Sequence, residues 1–405
     1  MRMAGKIVGA LEIGCQDVKV LVGEVFDDHS LNIIGKGEAE SAGVAKGRIR
    51  SFREASDRVG EALDRAETSA GANVESAYLA VSGAHLEGLE HPARTRVRGP
   101  DNRVGPGDVD RVNADAKGKE LPPGRLYIHF IRNHYSLDGR PIDNPVGFEG
   151  EELGVTYWLL HGDSQAVSEH IHVVNSQNIK VEDVIVSSVA SACMVAGEEE
   201  KAAGCLVIDI GRGTTDYAFY RAGCIVRTGS IPVGGEHLTN DLSVGLRVVR
   251  EGAEDLKIRH GAATVETEDK GRTHHLYGDL KIGDKSLYAS SINRILEVRL
   301  EELFEIIRSE CGKSALKEGA VRVLLTGGGA RLDRITDLAE RVFGVPARFA
   351  GNPEWVADEL RGPEYSTVLG VLHYALEGQA ERRERSRQRP AGMVGKMSRL
   401  LRGGA

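Results

Sequence analysis

Apolar and polar positions change period several times along the chain, and the changes repeat. Lys6–Ile13 and Val18–Val25 are runs rich in β-branched residues on either side of a short turn, Gly14–Asp17, and Leu31–Gly37 is a third such run. Alternating or continuous apolar runs of this length predict strands. Ile49, Phe52, Val59, Ala62, Leu63 and Ala66 then recur at helical spacing. Ser76–Val81 returns to a short apolar strand, closed by Ser82-Gly83.

From about Ala84 to Gly162 the patterns shorten, and Pro, Gly, Asp and His become frequent. Tyr127–Ile131 and Val155–Leu160 read as strands, and the stretch predicts an inserted α+β unit. A helix over Ser164–Ser176 leads back to the main body. At Gly204 the opening grammar starts again. Leu206–Ile210 is an apolar strand, Gly211–Thr214 a turn, Thr215–Tyr220 and Cys224–Ile231 further strands, and Gly235–Gly245 a helix. A second insertion follows, from about Leu246 to Leu316. Its long amphipathic helix places Ile292, Ile295, Leu296, Leu300, Leu303, Phe304 and Ile307 on one side. Val321–Leu325 is a strand, followed by Thr326-Gly327-Gly328-Gly329 and a helix from Arg331 to Val342.

One βββαβα unit thus occurs twice, with Leu11–Gly14 (LEIG) and Ile208–Gly211 (IDIG) as matching turns. The fold class is α/β, with two lobes facing each other across a cleft. Residues 1–83 with 163–203 form the first lobe, and 84–162 its insertion. Residues 204–245 with 317–378 form the second lobe, and 246–316 the second insertion. A charged linker (379–391) and a terminal helix (392–405) complete the chain.

At 405 residues the chain exceeds what one undivided core supports. Its 41% hydrophobic and 28% charged residues exclude global disorder, and no apolar run reaches the ~18–20 residues that span a bilayer. The net charge of −8 argues against a nucleic-acid partner, but it conceals an asymmetry. Residues Arg382–Ala405 carry a net +7, which leaves −15 on the rest. A basic tail on an acidic body points to an anionic partner for the tail. The five cysteines, Cys15, Cys193, Cys205, Cys224 and Cys311, are scattered and odd in number, the pattern of reduced thiols.

Candidate chemistry concentrates in the two hairpins. Each sets a carboxylate just before a glycine turn: Glu12 before Gly14, and Asp209 before Gly211 and Gly213. Such turns present bare backbone N–H groups to phosphates. Carboxylates beside phosphates hold hydrated Mg²⁺. Two turns on opposite lobes can clamp a polyphosphate. Gly211–Asp216 lacks the third glycine of a dinucleotide fingerprint and precedes a strand rather than a helix, and no P-loop motif is present. Gly327–Gly329, between an apolar strand and a helix, allow flat approach of a ring or sugar. A tight βα turn is the alternative. His170 with His172, and His274 with His275, read as solvated surface histidines, and Cys15 as a small loop residue.

The tail is a third candidate. Met393, Val394, Met397, Leu400 and Leu401 fall on one helical face, and Lys396, Arg399 and Arg402 on the other. A basic amphipathic helix behind a charged linker suits an interfacial membrane anchor. A helix docking on its own body or on a partner is the alternative.

The stretches IVGALEIGCQDVKVLVGEV, VIDIGRGTTDYAFY and VLLTGGGARLDRI resemble the two phosphate motifs and the adenosine motif of the actin/Hsp70/sugar-kinase superfamily. LNIIGKGEAESAGVAKGRI, AYLAVSGAHL, NPVGFEG, EDLKIRHGAA and YSTVLGVLHYA resemble, in order, the bacterial cell-division FtsA family, over about Lys6 to Glu377. The resemblance implies a two-lobed actin-like fold in which the unit at 84–162 replaces the usual second small subdomain of actin. It implies ATP and Mg²⁺ in the cleft. Glu12, Gly14, Cys15, Gln16 and Lys19 would lie at one phosphate loop. Asp209, Gly211, Arg212, Gly213, Thr214 and Thr215 would lie at the other. Glu254, Lys257 and Gly327–Gly329 would lie at the adenosine. Glu12 and Asp209 would reach the metal through water. Two departures stand out: many superfamily members have Asp at the position of Glu12, and Gly at that of Arg212. The Arg212 side chain is expected to face solvent, because backbone does the cradling in such loops.

A competent ATPase needs a residue that positions water. In actin-like folds it often lies on the connecting helix, which here reads Ser187-Ser188-Val189-Ala190-Ser191, without Gln, Glu or Asp. Slow turnover at most is expected. The family resemblance further implies a septal protein that polymerises, peripheral on the cytoplasmic face of the membrane. There it would tether FtsZ, whose acidic C-terminal peptide binds the second insertion in this family, and meet downstream divisome proteins. Lys285, Arg294 and Arg299 are the candidate contacts by charge and position. The alternatives are a pilus or cell-shape adaptor of the same fold and a small-molecule kinase of the same superfamily.

Overall fold

The computed structural model describes residues 5–26, 30–276, 285–312, 316 and 321–376. Strands β1 (Lys6–Ile13), β2 (Asp17–Val25) and β3 (Leu31–Glu40) run antiparallel to one another in turn. A small hairpin, β4 (Val44–Ala45) with β5 (Arg48–Ile49), leads into α1 (Phe52–Ala70) and β6 (Ser76–Val81). Ile49 therefore ends a strand rather than opening the helix. Ser51 caps α1 at its N-terminus, and Gly71, in the left-handed region at φ 62°, closes it. The buried face of α1 is Ala55, Val59, Ala62, Leu63 and Ala66, at the spacing the sequence sets out.

The chain then leaves the first lobe for β7 (Leu86–Arg96), α2 (Pro106–Lys117), β8 (Arg125–Leu137), β9 (Arg140–Ile142) and β10 (Glu152–Asp163). These strands form their own sheet, ordered β7-β10-β8-β9, with a small core that includes Val112, Leu153 and Leu159. Helix α3 (Ser164–Asn175) returns the chain to β11 (Lys180–Val186), α4 (Ser187–Val195) and α5 (Glu198–Ala203). The first-lobe sheet is ordered β11-β6-β1-β2-β3.

The second lobe repeats this plan. It comprises β12 (Cys205–Ile210), β13 (Thr215–Arg221), β14 (Cys224–Ile231), α6 (Gly235–Leu246), α7 (Arg250–His260), β15 (Thr273–Leu276), β16 (Lys285–Tyr288), α8 (Ala289–Cys311), β17 (Arg322–Thr326), α9 (Ile335–Phe343) and β18 (Ala347–Phe349). Its sheet is ordered β14-β13-β12-β17-β18, with β12–β13–β14 antiparallel and β17 and β18 parallel additions. That is the order and sense of β3-β2-β1-β6-β11 in the first lobe. The helix expected from Arg331 starts later. A 3₁₀ turn, Gly328–Arg331, is followed by extended Leu332 and by Arg334 in the left-handed region at φ 56°, so regular helix begins only at Ile335.

Two helices lie between the lobes. Helix α4 and the helical residues 366–376 share one core with Val8, Ala10 and Leu21 of the first sheet and Val207, Ala218 and Leu324 of the second. They cross at Gly370, where a Cβ atom would stand 2.0 Å from the Ala190 carbonyl oxygen. The inserted sheet springs from the first lobe but also docks on the second. Trp158 Nε1 donates to Thr228 Oγ1 of β14 at 3.0 Å in a buried contact, and His134 Nε2 donates to the Ala222 carbonyl at 2.7 Å.

Candidate functional site

The two glycine turns have the same local construction. Gly14 N–H donates to the Asp17 carbonyl at 3.1 Å, and Gly211 N–H to the Thr214 carbonyl at 2.9 Å. A Cβ on Gly213 would fall 2.5 Å from Cys15 Sγ, so the turns meet tip to tip across the cleft. The third glycine turn packs on the end of β12. Gly327 has φ 81°, and a Cβ there would stand 2.3 Å from Asp209 Oδ1. Together these turns line a cavity of about 750 Å³ that also receives Glu254, Lys257 and Thr367. Size, concavity and convergent polar groups suit a nucleotide-sized ligand.

The cleft holds three carboxylates close together. Burial pushes Glu12 up to about 7, against the pull of Lys19 and with Asp209 adding to the rise. Lys19 Nζ lies 3.9 Å from Glu12 Oε2, beyond hydrogen-bond reach, and that oxygen has no hydrogen-bond partner. Lys19 is itself buried, yet Glu12 and Asp17 hold it in the charged form. Asp209 is raised by burial, and Thr367 Oγ1 donates to its Oδ2 at 3.0 Å. Burial likewise lifts Asp216 to about 7. Ser82 Oγ, from the end of β6, lies 2.9 and 2.8 Å from the two Asp216 oxygens and joins the lobes there.

Glu254 and Lys257 form an i,i+3 pair on α7. Lys257 Nζ also donates to Thr239 Oγ1 at 2.9 Å and to the Gly235 carbonyl at 3.1 Å, which ties α7 to the start of α6. Arg212 is exposed, as expected, but it is not free: Nη1 donates to Gln16 Oε1 at 2.5 Å, linking the two turns. Thr214 lines the cleft. Thr215 does not; it is fully buried and donates to the Val233 carbonyl at 2.8 Å. Strand alternation turns Thr215 away and brings Asp216 in. Asp216, Ser82 and Thr367 are among the cleft residues that motif reading missed. The parity of β13 after Thr214 was the available signal for Asp216.

Two histidine expectations are corrected. His170 is not a surface residue: it sits on the inward face of α3, bonds through Nδ1 to the Ala166 carbonyl at 2.9 Å and lines the cleft. His274 is half-buried against His260, whereas His172 and His275 are exposed. Ser187, Ser188 and Ser191 are buried in α4. Arg294 is paired with Glu297 at 2.9 Å, and Arg299 with Asp241 and Glu302 at 2.6 Å each, so their charges are met within the chain. Lys285 belongs to β16, but its side chain lies outside the described residues, as does the whole tail from Met393 to Arg402. Among the described residues no helix is long and apolar enough to cross a membrane.

The carboxylates and glycine turns fit a magnesium nucleotide. Among the described residues no group of three or more His, Cys, Asp or Glu side chains could ligate a metal directly. Glu12 and Asp209 both line the cleft, which is compatible with a hydrated ion held through its water shell.

Comparison with known proteins agrees with this architecture. A family model described as cell division protein FtsA matches residues 206–370, and one described as the SHS2 domain inserted in FtsA matches residues 83–160. The cell division protein FtsA of Pseudomonas aeruginosa is 31% identical over 386 residues, covering 93% of this chain and 91% of its own. Among solved structures, the PilM–PilN type IV pilus biogenesis complex aligns with TM-score 0.61 at 16% identity, over 91% of this chain and 98% of that one. MreB5 of Spiroplasma citri bound to ADP aligns with TM-score 0.56 at 14% identity, over 95% of this chain and 99% of that one. The structural likenesses establish an actin-like two-lobed fold. With a relative of this identity and coverage beside them, the chain belongs to the cell division protein FtsA family.

Proposed function

We propose that this chain is an ATP-binding, actin-like division protein that ties FtsZ to the cytoplasmic face of the membrane at the septum and self-assembles there. The observation that carries the nucleotide reading is the pair of matched glycine turns meeting across the cleft, each with a carboxylate two residues before its first glycine. Gly14–Gln16 and Gly211–Thr214 line the phosphates, which are held by the backbone N–H groups of the turns other than those of Gly14 and Gly211, whose own bonds close the turns, with Lys19 as the buried cation beside them. Glu12 and Asp209 hold Mg²⁺ through its water shell. Glu254, Lys257 and Gly327–Gly329 hold the nucleoside. Bound Mg-ATP supplies a charged bridge between lobes whose own carboxylates repel one another.

The membrane part of the reading rests on the amphipathic pattern of Met393–Arg402, and the FtsZ part on family membership. Co-sedimentation with anionic vesicles and FtsZ, with and without Mg-ATP, tests them together. Vesicles are expected to carry FtsZ down only when this protein is present, and deletion of 392–405 is expected to abolish that without affecting ATP binding. A truncated protein that still pellets with lipid sinks the anchor assignment. Turnover is expected below the ~1–10³ s⁻¹ of typical enzymes. The connecting helix offers only buried serines, and both oxygens of Asp216 are engaged by hydroxyls. Phosphate release inside that range would refute this.

A further inference from the structure

The inserted sheet hangs on the first lobe by a narrow neck. The chain leaves through Ser82 and Gly83, after β6, and returns through Gly162, which pairs with Leu86, into Asp163. That neck is pinned to the other lobe. Gly83 N–H donates to Ser230 Oγ at 3.0 Å. Ser82 Oγ lies 3.3 Å from the same oxygen and 3.1 Å from Thr214 Oγ1, beside its contacts with Asp216. Further out, Trp158 of β10 donates to Thr228.

Register explains why these contacts fall together. On the second sheet Ser230 stands across from Asp216, and Thr228 across from Ala218, so all four share one face. The cleft carboxylate and the docking site of Trp158 are therefore neighbours on one surface. Trp158 is 4% exposed and Thr228 7%. Gly88 of β7 makes room for the indole: a Cβ there would stand 2.1 Å from Trp158 Cζ2. The joint is nonetheless not packed like a core. Leu86, Leu160, Val186, Thr228 and Ser230 enclose a small void, and Ser188 Oγ, which borders it, is buried without a hydrogen-bond partner. Hydrogen bonds around a void hold two bodies less firmly than close apolar packing, such as the core shared by α4 and residues 366–376.

A nucleotide clamped by one turn from each lobe leaves only when the lobes part. The inserted sheet, rooted in one lobe and bonded to the other, resists that parting. We propose that the docking of the inserted subdomain on β14, through Trp158 on Thr228 and Ser82-Gly83 on Ser230, is an interlobe latch that sets how fast nucleotide leaves the cleft. This rests on the reading of the cleft as an ATP site. By linkage, bound nucleotide tightens the docking of the inserted sheet, and undocking weakens nucleotide binding by the same factor.

The test is displacement of a fluorescent ATP analogue from the full chain by excess Mg-ATP, followed by stopped flow, in wild type, Thr228→Val and Trp158→Phe. Valine keeps the shape of threonine without the hydroxyl, and phenylalanine keeps a ring without the N–H. Each variant is expected to release the analogue about fivefold or more faster, the effect of one buried hydrogen bond, with association changed less. A second readout uses Trp158 itself. The chain has two tryptophans and Trp355 is exposed, so in a Trp355→Phe background the emission reports the joint alone. Mg-ATP is expected to shift that emission to shorter wavelength. Should Thr228→Val fail to fold, Trp158→Phe decides. Release at the wild-type rate or slower in the variants overturns the latch and leaves the ATP reading standing, and a lowered unfolding temperature beside it makes the contact a support of the fold. An emission unmoved by bound nucleotide overturns the latch equally. A wild-type protein that binds no analogue overturns the latch and the ATP reading together.

Discussion

The two hairpins at the cleft share a backbone and differ in charge. In the first lobe Glu12 stands across the ladder from Lys19; in the second, Asp209 stands across from Asp216. One turn is thus followed by a cation and the other by a second anion. The first hairpin sets a buried cation beside its carboxylate, although burial outweighs its pull. The second leaves two buried acids side by side and relies on hydroxyls, Thr367 for Asp209 and Ser82 for Asp216. The two turns share a glycine and a hydrogen bond fixed by backbone geometry. Their cross-strand partners differ, and that difference sets the charge beside each turn.

The largest expected effect on nucleotide binding follows from that asymmetry. Asp209→Ala is expected to weaken Mg-ATP binding by about tenfold or more, about 1.4 kcal/mol upward, because it removes the carboxylate of the more acidic hairpin. Glu12→Ala is expected to cost less, since it also releases Lys19 from its nearest carboxylate. Calorimetry of the two variants checks the order, and equal losses would break the comparison.

A second effect concerns pH. Glu12 and Asp216 sit near 7 in the folded chain, above the ordinary carboxylate range they regain on unfolding. The folded state therefore holds more protons between about pH 4.5 and 7, and stability falls as pH rises through that window. The nucleotide-free protein is expected to lose of the order of 1–3 kcal/mol per group over it. Asp216→Asn is expected to flatten its share of the slope. Denaturant unfolding at pH 5 and pH 8 measures this, and a stability that rises with pH contradicts it.

The smallest effect is assigned to the bridge between the turns. Arg212 and Gln16 form an exposed contact, and exposed pairs contribute about 1 kcal/mol or less. Arg212→Ala is expected to change ATP affinity by no more than about fivefold. A larger loss would mean that the guanidinium holds phosphate itself, and the hairpins would then differ in mechanism as well as in charge.

Much of this was legible in the sequence because backbone-level signals are strong. Apolar β-branched runs around Gly14 and Gly211 predict both hairpins, and the repeat predicts two lobes. Side-chain direction was harder. Thr215 and Asp216 differ by one step of strand parity, and a motif read as a block assigns the wrong member. His170 looked like a surface residue in an H-x-H pair, yet it lies four residues after Ala166 and three before Val173, on the apolar stripe of α3. The pattern starts α9 too early because nothing in it announces a left-handed arginine at position 334. The candidate partner arginines carry charge in the sequence, but Asp241, Glu297 and Glu302 meet that charge in the fold.

The helical residues 366–376 belong by covalent order to the second lobe, yet they are wedged against the first. Leu372 reaches Gly23 of β2, Tyr374 donates to Asp183 at 3.2 Å, and Gly370 crosses Ala190 without a side chain between them. Everything from residue 377 onward is attached through that wedge. Thr367, in the first turn of the same helix, donates to Asp209, so the wedge that joins the lobes also reaches the floor of the cleft.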